Sequence, residues 1–199
     1  FNLRDYGALT ATSKIELDYV SLLLSNTNSS SGRFYVEDRI NDSAEVTMRG
    51  SYLSLLGRDN LPSSERILKL VLAEGLNAFD VSLGNGALRS ASLVLGTLEV
   101  NGDATAVFSS APSGLVGGNT RMSAGSASTF LKSGSLSGIL PWANDRTNLM
   151  SYVTSPENGE FSLAPVGTNG FPAYDGTSLS SSNPSSNIQI SGTAATVPE

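Results

Sequence analysis

Apolar and polar residues alternate with a period of two through most of the first half of the chain: "KIELDYVSLLLS" (14–25), "EVTMRGSYLSLLG" (45–57), "RILKLVLAEG" (66–75), "NAFDVSLGNG" (77–86), "ASLVLGTLEVNG" (91–102) and "ATAVFSS" (104–110). Such alternation sends every second side chain to one face, the pattern of strands with one side buried. Leu55, Leu70, Leu83 and Leu95 each lie in one of these runs beside a turn signal and are expected to point inward. A helical period is nearly absent. Only "LPSSERI" (61–67) offers a short helical turn, with Ser63 or Ser64 as its cap. The pattern therefore predicts an all-β chain.

Between the runs stand "GRDN", "EGLN", "GNG" and "NGD", residue types that supply the positive φ of tight turns. The apolar triplets ending at Leu72, Leu83 and Leu95 recur at eleven and twelve residues. Two such intervals make a coil of roughly 22 residues, suited to a β-solenoid. An antiparallel sandwich also places a strand every 8–12 residues, so periodicity leaves both architectures open.

The texture changes along the chain, which divides into 1–110 as strand-rich rungs, 111–137 as a Gly/Ser-rich connection, 138–166 as closing strands and 167–199 as an extended tail or the start of a further module. Within the third segment, "SGILPWAN" (137–144) carries the single tryptophan directly after Leu-Pro. Proline has no N–H for a ladder and restricts the residue before it, so this stretch is expected to end a run of strands, with Trp142 sealing the edge of the core. "NDRTNLMSYVTSPENGEFSLAPV" (144–166) predicts two short strands around the turn "SPENG". In the tail, "SNIQISG" (186–192) alternates clearly, and residues 168–199 are expected either to pair with a neighbouring copy or to link to a further module.

Composition narrows the chemistry. The 199 residues carry 12 Lys+Arg against 18 Asp+Glu, a net charge of −6 with no basic cluster, which argues against a nucleic-acid partner. The absence of cysteine and histidine removes Ser/His/Asp and Cys/His catalysis, thiolate chemistry and nearly every zinc or copper site. No apolar run reaches the ~20 residues of a membrane-spanning helix. The chain opens on Phe1 without a leader-like segment, which suggests a processed or excised sequence.

Inverting glycoside hydrolysis needs two carboxylates ~6.5–9.5 Å apart, which in a solenoid means acids at equivalent positions of neighbouring rungs. Asp18, Asp38, Asp42, Asp59, Asp80 and Asp103 are instead scattered through different turns and strand ends. Asp38, Arg39 and Asp42 form the densest charge cluster and are expected to pin a turn, with Arg39 bridging the two carboxylates. "GNG" and "NGD" lack the Asp-bearing nonapeptide repeat of calcium β-rolls. No catalytic, cofactor-binding or metal-binding residue is assigned, and no cofactor is expected. Arginine outnumbers lysine nine to three, which suits protein contacts as well as compositional drift, and "NSS" (28–30) and "NDS" (41–43) match the N-glycan acceptor pattern.

In order, "LLLSNTNSSSGRFYVEDRINDSAEVTMRGSYLSLLG", "ERILKLVLAEGLNAFDVSLGNG", "ASLVLGTLEVNGDATAVF" and "SGILPWANDRTNLMSYVTSPENGEFSLAPV" resemble the autotransporter-associated β-strand repeat proteins, long secreted bacterial polypeptides. Asp38, Arg39, Asp42, Val46 and Gly50 to Gly57, then Glu65 through Val81, Leu93 to Phe108 and Gly138 to Tyr152 carry the resemblance, while "RGS" stands where the family has a double glycine. The resemblance implies a right-handed parallel β-helix and a non-enzymatic structural role at the bacterial surface or outside the cell, as an adhesin, sheath or self-assembling filament. Its expected partners are further copies or modules stacked end to end, with surface glycans in addition. The opening "FNLRDYGA" resembles the first strand of β-helical polysaccharide lyases and phage tailspikes, which leaves a carbohydrate-active or carbohydrate-binding β-helix as the alternative.

Overall fold

The computed structural model describes residues 1–27, 36–84, 90–108, 120–127, 137–146, 149–154, 161–167 and 172–174. Thirteen strands follow in chain order: β1 (Asn2–Leu3), β2 (Lys14–Asp18), β3 (Ser21–Ser25), β4 (Glu45–Arg49), β5 (Tyr52–Leu56), β6 (Pro62–Glu74), β7 (Leu76–Ser82), β8 (Ser90–Val100), β9 (Thr105–Phe108), β10 (Thr120–Ala127), β11 (Ser137–Asn144), β12 (Leu149–Thr154) and β13 (Phe161–Pro165). Among the described residues there is no helix. "LPSSERI", the one candidate for a helical turn, is the start of β6: Ser63 and Glu65 face inward while Ser64 and Arg66 face solvent, a strand alternation that overrides the capping signal.

The strands stack in parallel as the coils of a β-solenoid. One ladder runs β2-β4-β6-β8-β10 and the other β1-β3-β5-β7-β9-β11, so successive strands of the chain alternate between ladders. This arrangement separates the solenoid from the antiparallel sandwich that periodicity allowed. The coil is longer than the spacing of the apolar triplets suggests: Ile15 pairs with Val46, Val46 with Leu70 and Leu70 with Leu98. Those triplets mark successive walls of the coil, and each coil has a third wall as well.

The third wall comes from a bend inside β6 and β8. Burial alternates through Ser63, Glu65 and Ile67, slips at Leu68 and Lys69, and resumes at Leu70 and Leu72. The same slip falls at Gly96 and Thr97 in β8, so the corners stack. A Cβ on Gly96 would lie 2.4 Å from the Leu68 carbonyl oxygen, so the close approach of the two rungs requires glycine there. The corner after the second wall is made by a left-handed residue in each turn: Tyr19 (φ 54°), Gly50 (φ 55°), Gly75 (φ 67°) and Gly102 (φ 51°).

Inward side chains align into columns. Leu17, Met48 and Leu72 stack along one wall, and Leu22, Leu53, Phe79 and Phe108 along another. The rings of Phe79 and Phe108 stack at 5.2 Å and 19°. Leu55, Leu70 and Leu95 are buried as expected, whereas Leu83 lies just beyond β7 and is only partly buried against the core.

Residues 111–137, read from sequence as a connection, include β10, which pairs in parallel with β8. "SGILPWAN" does not stop a strand but forms one. Ser137 to Leu140 pair antiparallel with β12, whereas Ala143 and Asn144 pair in parallel with β9, and the register shifts between Leu140 and Asn144. Pro141 sits in that irregularity, where a missing N–H costs no ladder bond. The partly buried Trp142 packs against the core. The stretch is the point at which parallel stacking gives way to an antiparallel closure. The two strands expected around "SPENG" are β12 and β13; β13 pairs with β12 and also with β10. Strands β12 and β13 thus join the two ladders across the C-terminal end of the solenoid.

Candidate functional site

The first coil holds the feature that most needs a chemical account, a buried charged node.

Arg39 and Glu65 are both fully buried. The first half of β6, Pro62 to Ile67, pairs with β8 on one side, but β4 pairs only with Lys69 to Glu74, so among the described residues the other side of that half has no ladder strand; Ile40 nearby makes a single bridge to Leu9. The Glu65 side chain stands in for the missing ladder. Its carboxylate accepts the Arg39 N–H at 3.0 Å and the Ile40 N–H at 2.7 Å. The Arg39 side chain reaches the other way, donating from Nε to Asn26 Oδ1 at 2.8 Å, from Nη1 to the Gly7 carbonyl at 2.6 Å and from Nη2 to the Asp5 carbonyl at 3.1 Å. One polar chain therefore ties the N-terminal segment, the end of β3, the turn before β4 and the start of β6 together.

Burial pushes the Glu65 carboxyl up to about 7 against the pull of the two backbone N–H donors, with Asp38 adding to the rise and Arg39 opposing it. Burial also lowers the Arg39 guanidinium from its ordinary value. The expected Arg39 bridge between Asp38 and Asp42 is replaced by this network: Asp38 and Asp42 are exposed, and the partners of Arg39 are an amide and two carbonyls. Exposed side chains are solvated, whereas a buried guanidinium must find acceptors in fixed positions. Glu65 was not among the candidates from sequence. The signal was present in a carboxylate occupying an inward position of an alternating run.

On the outer face of the second wall, charges alternate from rung to rung. Lys14, Glu45 and Lys69 are in register, with Lys69 Nζ 3.5 Å from Glu45 and 3.1 Å from Glu99. Beside them, Asp18 and Arg49 pair at 2.8 Å, and Lys14 reaches Glu16 at 2.9 Å. These neighbours raise Lys14, Arg49 and Lys69 above their ordinary values, chiefly through the hydrogen bonds to Glu16, Asp18 and Glu99 respectively. The Tyr19 hydroxyl donates to Glu74 at 3.1 Å, which raises the phenol. Of the acids weighed for catalysis, Asp18 is in this ladder and Asp80 accepts from Ser82 at 2.8 Å on the other ladder. Asp38 and Asp42 are exposed in the turn before β4, and Asp103 is exposed in the turn before β9.

Among the described residues, β2 pairs with β4 and β1 with β3, while β12 and β13 cover the last strands of both ladders at the C-terminal end of the solenoid. Most of the tail, and the acceptor motif at 28–30, lie outside the described residues; Pro172 accepts the Gly167 N–H at 2.8 Å and the Tyr174 hydroxyl takes the Leu149 N–H at 3.4 Å. No protein family, curated protein or solved structure matches this chain, so its resemblance to the autotransporter-associated repeats rests on the quoted motifs alone.

Proposed function

We propose that this chain is a non-enzymatic structural protein, a β-solenoid segment of a bacterial surface or secreted polypeptide that serves as a stalk or sheath. The observation that supports this reading is the charge ladder on the second wall. Its outward carboxylates Glu16, Asp18, Glu45 and Glu99 each pair with Lys14, Arg49 or Lys69, where a hydrolytic β-helix needs two carboxylates facing each other across a substrate. Stacked apolar columns inside and ion pairs outside make the rungs stiff along the axis, which is a mechanical property and requires no cofactor.

Two measurements test the proposal. Antibodies against the chain are expected to label intact producing cells or their medium. The purified chain, incubated with neutral and acidic polysaccharides, is expected to release no new reducing ends and no unsaturated sugars. Release of either product would establish the carbohydrate-active alternative instead.

A further inference from the structure

The corner between β8 and β9 is built differently from the one in the coil beside it. Leu72 pairs with Val100 and Leu76 with Thr105, so the chain takes five steps from Val100 to Thr105 where it takes four from Leu72 to Leu76. The added residue gives a turn, "NGDA" (101–104), that stands in solvent. Asn101, Gly102 and Asp103 are exposed, and a Cβ on Gly102 would have nothing within 4 Å. Two hydrogen bonds anchor the turn: the Asn101 N–H donates to the Leu72 carbonyl at 2.9 Å, and the Asn101 carbonyl accepts the Ala104 N–H at 3.1 Å. Among the described residues, neither the Asn101 carboxamide nor the Gly102 N–H has a hydrogen-bond partner.

An unengaged carboxamide thus lies next to the backbone nitrogen best able to attack it. Glycine has no Cβ to obstruct approach to its nitrogen and is free in φ. The hydrogen bond accepted by the Asn101 carbonyl draws electron density from the same peptide group and so favours loss of the Gly102 proton. The other described asparagines lack this combination. Asn26, Asn41, Asn77 and Asn144 have their side-chain oxygens engaged, and Asn2 and Asn60 precede leucine.

We infer that Asn101 is a self-modifying position, converted in the folded chain to aspartate and isoaspartate through a cyclic imide closed by the Gly102 nitrogen. That nitrogen gives its proton to hydroxide and bonds to Asn101 Cγ; the Cγ–Nδ2 bond breaks, and ammonia leaves with a proton taken from water. Water then adds to either imide carbonyl and the Gly102 nitrogen regains its proton. Opening at Cγ gives aspartate, whereas opening at the former Asn101 carbonyl leaves the main chain running through Cγ as isoaspartate. The net exchange consumes water and releases ammonia, with no oxidant or cofactor. Either product adds a negative charge to a chain of net −6 and places a carboxylate between Glu99 and Asp103. Isoaspartate also lengthens the main chain by one carbon, for which the open turn has room. This chemistry goes beyond the structural role proposed above and does not depend on it.

Incubating the full folded chain in mildly alkaline buffer, then locating new acids by peptide mapping and fragmentation in a mass spectrometer, tests this. The peptide holding Asn101 is expected to gain the mass of an amide-to-acid exchange, at a rate that rises with hydroxide concentration. Gly102→Ala is expected to slow the exchange about tenfold, since a Cβ crowds the attacking nitrogen and restricts φ. Asn101→Gln, which would have to close a larger ring, is expected to remain an amide throughout, and it brings none of the backbone strain of the alanine variant. The same incubation in urea supplies the unfolded reference, and the folded chain is expected to react at a comparable rate. An Asn101 that stays an amide in the folded chain, exchange confined to urea, or a rate indifferent to Gly102→Ala would each overturn the inference. New acids that map to other asparagines alone would do the same.

Discussion

Glu65 shares its column with Leu93 and Met122, both buried, and so brings a carboxyl group into a position that the later rungs fill with apolar side chains. It is held there because it supplies the two acceptors that the turn before β4 lacks. With a folded value of about 7 against 4.5 in the unfolded chain, the folded state holds a proton that the unfolded state has lost between those pH values. The sign follows: this group's contribution is fully present below about pH 4.5 and declines as pH rises through 7, by about 3 kcal/mol. Thermal midpoints of the wild type are therefore expected to fall across that window, and Glu65→Gln is expected to flatten the dependence. Equal slopes for the two proteins would refute the assignment. Replacing Arg39 by Ala strands the buried Asn26 Oδ1 and releases the part-buried carbonyls of Gly7 and Asp5 to solvent, and is expected to cost about 2 kcal/mol in chemical denaturation.

At the scale of the element, the corners decide whether a strand run becomes a coil. Gly75 and Gly102 are left-handed, and an added Cβ meets ordinary contact at 3.4 Å in the first and open space in the second. Alanine at either is expected to cost about 1–2 kcal/mol, from backbone strain alone. Gly50 is left-handed too, but there a Cβ would also lie 2.6 Å from the Tyr19 ring, so Gly50→Ala is expected to exceed both and to free the Tyr19 hydroxyl from Glu74. Gly96→Ala should be the most damaging of the four, since its Cβ meets a backbone carbonyl that cannot rotate away. Denaturation midpoints ordered otherwise would show that the corner geometry is more yielding than these contacts imply.

For the whole molecule, the antiparallel closure by β12 and β13 is the property that matters. Removing residues 145–199 deletes β12 and β13 and exposes β10 and β11 as free edges. The truncated chain is then expected to form concentration-dependent higher assemblies through these uncovered edges. If sedimentation shows the truncated chain stopping at the same size as the full one, the closing hairpin is not what limits assembly.

The all-β class, the inward positions of Leu55, Leu70 and Leu95, and the corner glycines Gly75 and Gly102 were legible in the sequence, because a period of two and a demand for positive φ are local properties of the backbone, whereas Gly50 lay inside what reads as one continuous run. The place of closure was also marked, since "SGILPWAN" departs from the alternation around it. What it does there was not legible: Pro141 reads as a stop, and only the pairing of β11 with β9 on one stretch and β12 on the other shows that a strand passes through it. The choice between solenoid and sandwich lay equally beyond composition, because both bury alternate side chains and differ only in which strands become neighbours. The Arg39 and Glu65 network and the closure by β12 and β13 belong to the same class of fact. Residues 26 positions apart become hydrogen-bonding partners, and an edge becomes free or covered, only once the coils have stacked.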